Sequence, residues 1–127
     1  MSGLPDFVDA LRAEIAGAVD APVYAQMPNP RPASFVYLDR SGGPLTLSSD
    51  SPVITFEAWA PSKQRAYLLA QRLREHVMRH LPPLVGGIRV VSRREVAGLS
   101  YQPPAVSGAF RYRVTVQFKH QLSQEKP

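Results

Sequence analysis

Cysteine is absent from the 127 residues. Disulfides and thiolate metal sites are therefore excluded, which fits a reducing compartment without requiring one. No run of about 20 apolar residues occurs, so neither a membrane-spanning helix nor a membrane partner is expected. The first residues, MSGLPDFVDALRAEI, lack the basic start and apolar stretch of a signal peptide. Carboxylates are scarce. Ten Asp and Glu stand against 15 Lys and Arg, for a net charge of +5 and a pI near 10. Such an excess favours anionic partners, nucleic acid included. Aromatics make up 9% of the chain, with a single Trp, which leaves little for base stacking.

What is present fits one soluble globular domain, with 44% hydrophobic and 20% charged residues. Its core is expected over about residues 5–120, with 121–127 a flexible tail. The 13 prolines divide the chain into short elements. Phe7, Leu11, Ile15 and Ala18 recur at helical spacing and predict a helix over 5–19. VYAQM (Val23–Met27) reads as a short strand, and PNPRP (Pro28–Pro32) as a stiff connector. SFVYLD (Ser34–Asp39) and VITFEAWA (Val53–Ala60) read as strands of a hairpin around the polar loop Arg40–Pro52. Ser62 can cap a long helix from Lys63 to His80, with Ala66, Leu69, Ala70, Leu73 and Val77 as its apolar stripe. IRVVSRREV (Ile88–Val96) reads as a weaker strand, Gly98–Ala109 as a loop, and FRYRVTVQFKH (Phe110–His120) as a strictly alternating strand. The fold class is α+β: a mostly antiparallel sheet of four to five strands with two helices on one face.

Catalytic constellations do not stand out. The serines lie outside any nucleophile elbow, and the Gly-Gly pairs lack the residues of a phosphate-binding loop. His76 and His80 share a helical spacing that can hold a metal. Val77 occupies the place of a metalloprotease glutamate, however, and Arg79 opposes a cation. No enzyme, cofactor or metal is expected. A lone mid-strand carboxylate such as Glu57 is more often paired with an arginine than catalytic.

Cation placement is the stronger signal. Arg65, Arg72 and Arg79 are spaced at seven, which on an α-helix drifts only about 20° per step and forms one ridge. Arg111, Arg113 and Lys119 share the outer face of the last strand. Both surfaces read as a solvated face, a protein interface or a nucleic-acid surface. Trp59 lies on the outer face of its strand, either as an interface anchor or as a cap on the core edge.

The ordered succession MPNPRPASFVYLDRSGG, DSPVITFEAWA, AYLLAQRLREHV and SGAFRYRVTVQF resembles the tail terminator proteins of long-tailed bacteriophages infecting actinobacteria. The resemblance spans about residues 5–120. It departs before the last strand, where QPPAVSGA replaces the acidic turn common in the family. The resemblance implies a virion protein of the tail and neck, made in the host cytoplasm. Such proteins form a ring, usually a hexamer, that caps the tube of major tail protein and meets the head-completion or stopper protein. DNA passes through the lumen without sequence-specific binding. Closing a ring needs two complementary patches on each subunit. The cations at Arg65, Arg72, Arg79, Arg111, Arg113 and Lys119, with Trp59, are candidates for one patch. Asp39, Asp50, Glu57 and Glu95 are candidates for the other. The Arg40–Pro52 loop, with Gly42 and Gly43, is expected to reach a neighbouring subunit or the tube. Another neck or tail completion protein, or a basic nucleic-acid-binding domain, are the alternatives.

Overall fold

A computed structural model describes residues 4–103 and 108–122. Part of the expected Gly98–Ala109 loop and most of the expected tail thus lie outside the described residues. Both expected helices form. α1 spans Phe7–Ala16, and Asp6 caps it by accepting the Asp9 amide at 3.0 Å. Such a cap contributes about 1 kcal/mol. The helix is shorter than the apolar spacing predicts, because Gly17 takes the C-cap and the chain turns there. α2 spans Lys63–Glu75, with the Ser62 hydroxyl accepting the Arg65 amide at 3.2 Å. It continues as one π-helical turn, His76–His80, before Leu81 and the proline pair.

The sheet is larger than expected and is mixed. Its strands are β1 (Val23–Tyr24), β2 (Phe35–Gly42), β3 (Ser49–Asp50), β4 (Val53–Ala60), β5 (Leu84–Val85), β6 (Ile88–Gln102) and β7 (Phe110–Gln121). The order is β1-β2-β4-β7-β6-β5, and β3 pairs with β7 beyond the end of β4. The expected Val23–Met27 strand forms only over Val23–Tyr24, and the two unforeseen strands, β3 and β5, are two residues long, too short to leave a periodic signal. β1 runs parallel to β2; the other pairings are antiparallel. β6 reaches Gln102 through the expected loop. Ser100, Tyr101 and Gln102 pair with Arg113, Tyr112 and Arg111. The ladder with β7 holds a segment whose own residues carry no strand pattern.

Both helices pack on one face of the strongly curled sheet. Phe7, Leu11 and Ile15 of α1 and Leu73 and Val77 of the second helix meet Val36, Leu38, Ile54, Phe56, Val114, Val116 and Phe118. Each large side chain here stabilises the fold by about 1.5–3 kcal/mol on leaving water. β4 is buried on both faces over Phe56–Ala60. That second buried face carries Glu57 and Trp59.

Candidate interaction surfaces

The cations of β7 do not face water alone. Pairing sets Glu57 of β4 opposite Arg113 and Trp59 opposite Arg111. Glu57 Oε2 accepts from Arg113 Nη2 at 2.8 Å, and Arg111 Nη1 lies 3.8 Å from Oε1. The Trp59 indole N–H donates to Glu57 Oε1 at 3.1 Å. Trp59 is 2% exposed. Its ring stacks on Phe35 at 5.3 Å, and the Arg31 and Arg111 guanidiniums lie 5.3 and 5.2 Å from its centroid. The sequence left Trp59 as anchor or cap; the structure buries it within its own subunit. The Nε atoms of Arg111 and Arg113 are buried without a hydrogen-bond partner among the described residues. One carboxylate thus serves two arginines, while Arg111 also donates to the Pro103 carbonyl at 3.4 Å.

The other acidic candidates are also engaged inside the chain. Asp50 takes a bidentate contact from Arg40, at 2.7 and 2.9 Å. The Arg40 hydrogen bonds hold the Asp50 carboxyl below the ordinary aspartate range, against the opposing effect of burial. The same contact raises Arg40. Glu95 of β6 is held the same way by Arg74 of α2, at 2.7 Å from both nitrogens, and its pKa is lowered by those bonds. Asp39 accepts from the Arg40 amide at 2.9 Å and the Tyr37 hydroxyl at 3.4 Å. Burial, then Asp39, push the Tyr37 hydroxyl up.

Arg40 also organises the loop between β2 and β4. It donates to the Gly42 and Gly43 carbonyls at 3.0 and 2.9 Å. Thr46 Oγ1 accepts the Ser48 and Ser49 amides, and the Ser51 amide donates to the Pro44 carbonyl at 2.9 Å. Gly43 has φ +108°, and a Cβ there would sit 2.0 Å from the Ser51 carbonyl oxygen, so glycine is required. The clamped loop presents Leu45 and Leu47 outward, Leu47 at 101% exposure. Sequence reasoning marked this loop by length and its glycines but missed Arg40 and the two leucines. An arginine and an aspartate ten residues apart, bracketing Gly-Gly, was the available signal.

The α2 ridge divides. Arg65 and Arg72 are exposed and make no ion pair among the described residues. Arg79 leaves the ridge, because the π-helical turn takes more residues per turn than an α-helix and breaks the seven-residue phase. It lines a groove of about 510 Å³ between α2 and β6, with Gln71, Arg74, Glu75, Met78 and Glu95. Arg93 closes the end of that helix by donating to the Met78 carbonyl at 3.3 Å. Lys119 is exposed at the far end of β7. Tyr67, 40% exposed, packs edge-on against Tyr112 at 5.4 Å. Neither Tyr67 nor Trp59 stands clear for base stacking.

The histidines do not converge. His76 meets Glu14 of α1 at 2.8 Å, while His80 lies 3.7 Å from Glu75. His120 is fully buried against Phe7, with ring centroids 4.7 Å apart. Among the described residues no three ligating side chains form a metal group. No helix of the described residues is long and apolar enough to cross a membrane. No protein-family model and no curated protein matches the chain.

Proposed function

We propose that this chain is a structural subunit that works by assembly. In this reading it forms a ring, hexameric in form, that caps the tail tube of a long-tailed phage. It ends tube growth and joins the tail to the head-completion proteins, with DNA passing through the lumen. The activity is geometric and requires no catalytic residue or cofactor. The observation that carries the reading is the placement of two unlike patches at opposite ends of β4. The clamped, uncharged loop enters the strand at Val53, and the arginine-bearing helix follows from Ala60. Eight strand residues separate them by roughly 25 Å. A head-to-tail contact that closes into a ring needs two separate patches of this kind. The resemblance of its ordered sequence segments to tail terminators gives the reading its particular form.

The test is addition of the purified protein to isolated tail tubes, read by negative-stain imaging and by sedimentation. Discrete terminal rings and a halt in tube growth are expected. A protein that stays monomeric at high concentration and leaves tubes unaltered overturns the reading. Arg65 and Arg72, exposed and without an ion pair among the described residues, support a second reading, a polyanion-binding domain. It predicts DNA affinity falling steeply with salt, and no binding at low salt removes it.

A further inference from the structure

Arg12, Arg40, Arg74 and Arg113 are each ordered by a carboxylate that also offsets their charge. Arg94 is ordered differently. Its Nη2 donates to the Gln117 side-chain oxygen at 2.7 Å, and Gln117 Nε2 donates in turn to the Ser51 carbonyl at 3.2 Å. An amide oxygen orients a guanidinium without neutralising it. Neither Arg94 nor Lys119 has an ion pair among the described residues.

The ladder sets both cations on one face. Arg94 lies opposite Gln117, and Ser92 opposite Lys119. Arg94 and Lys119 are thus diagonal neighbours, about 7–8 Å apart at the backbone, within reach of two long side chains. Gln117 and Lys119 alternate with the core residues Val116 and Phe118, so this face is turned away from both helices. The end of the Arg40–Pro52 loop stands beside them, tied by the Ser51 amide to the Pro44 carbonyl at 2.9 Å. Between loop, β6 and β7 lies a cleft of about 380 Å³. Ser51, Ser92, Arg94, Gln117 and Lys119 line it, and among the described residues no carboxylate does. The groove beside α2 differs, because Glu75 and Glu95 line it. Arg93 also borders the cleft, but its Nε is spent on the Met78 carbonyl.

We propose that this cleft binds a phosphate group, with Arg94 and Lys119 holding its oxygens. A guanidinium fork takes two oxygens side by side, and an ammonium takes another as a point charge. The Ser51 and Ser92 hydroxyls supply further donors. A phosphate presents oxygens in several directions and can use donors from all of these, whereas a carboxylate presents its two in one plane. Phe118, the aromatic of the lining, is fully buried in the core, so no ring is offered for stacking. The ligand is therefore read through its phosphate: a phosphodiester of nucleic acid or a free phosphate monoester. One copy of the chain suffices, so the proposal does not rest on the assembly reading.

Isotope-labelled protein is titrated at low ionic strength with inorganic phosphate and, separately, with a short single-stranded oligonucleotide. The Arg94 Nε–Hε signal is followed, with sodium chloride of matched ionic strength as the blank. A saturable shift beyond the blank is expected. Arg94→Gln removes the fork, and Gln117→Glu places an isosteric carboxylate against it. Each should weaken phosphate binding by about tenfold or more, while Arg65→Glu with Arg72→Glu stays within about twofold. Oligonucleotide binding that is tighter than phosphate and lost in the same variants assigns the phosphodiester; binding of inorganic phosphate alone assigns the monoester. No saturable Arg94 shift with either probe, a shift matched by sodium chloride, or wild-type affinity in Gln117→Glu overturns the proposal. Should a variant fail to fold, the wild-type Arg94 response decides.

Discussion

The outer face of the sheet and the exposed flank of α2 each present two arginines, yet their electrostatic states are opposite. Arg111 and Arg113 converge on the buried Glu57 and the Trp59 ring. Arg65 and Arg72 extend into solvent with no ion pair among the described residues. The first pair is half-buried and held by a carboxylate of the same subunit. The second is available to a partner. Net charge thus overstates what the protein can offer, because availability depends on which cations have a carboxylate within reach.

The comparison breaks most sharply at Glu57. Glu57→Gln should destabilise the fold by about 2–4 kcal/mol. That is near the range for a broken buried pair, and somewhat less because Arg113 keeps contact with water. Urea denaturation checks this. A loss under about 1 kcal/mol would mean that Arg111 and Arg113 stand as free as the helix arginines. Arg40→Ala comes next, at about 1–2 kcal/mol, since its charge-assisted bonds are partly exposed to screening. Its clearer signature is faster proteolytic cleavage between residues 43 and 48, where the clamp has gone.

Acid should sharpen the same contrast. Asp50 and Glu95 have folded pKa values below their ordinary values of 3.8 and 4.5. A depressed carboxylate contributes stability that is fully present above its unfolded value. That contribution is lost as pH falls through the lower folded value. Stability should therefore decline progressively below about pH 4.5, measured by thermal midpoint. Arg40→Ala should remove the part of the decline that belongs to Asp50. Arg65→Glu with Arg72→Glu should leave the acid limb in place, because neither arginine pairs with those carboxylates.

Local periodicity made part of this legible and cross-strand pairing hid the rest. The helix caps, the alternation of β7 and the apolar stripe of α2 are all written within a few residues of themselves. The outer face of β7 read as purely cationic because its counter-charge, Glu57, comes from β4 at a register no single segment encodes. β6 past Gly98 was invisible for the same reason: its strand geometry is imposed by β7. The π-helical turn defeated the seven-residue arithmetic at Arg79, since that arithmetic assumes an α-helix throughout. Trp59 was ambiguous because an outer face is normally wet, and here Arg31, Arg111 and Phe35 cover it. Arg40 went unnoticed because a loop arginine has no periodicity to mark it; its role appears only when Asp50 folds back against it.

The smallest effect on the fold should come from the arginine ridge of α2. Arg65 and Arg72 touch no carboxylate among the described residues, and their side chains are exposed on the helix. Arg65→Glu with Arg72→Glu should therefore change stability by less than about 0.5 kcal/mol. It nonetheless reverses the charge of the ridge, so an anionic partner should be repelled where it was attracted. Under the assembly reading, virion yield falls while the purified variant keeps its thermal midpoint. Arg89→Glu with Lys119→Glu changes net charge equally at other sites and separates a specific ridge from a general need for positive charge. If both double variants reduce yield alike, only net charge counts. If neither does, the ridge is solvated surface, as inert in assembly as it is in folding. Loss confined to Arg65 and Arg72 would mark the helix flank as a specific contact rather than a source of general positive charge.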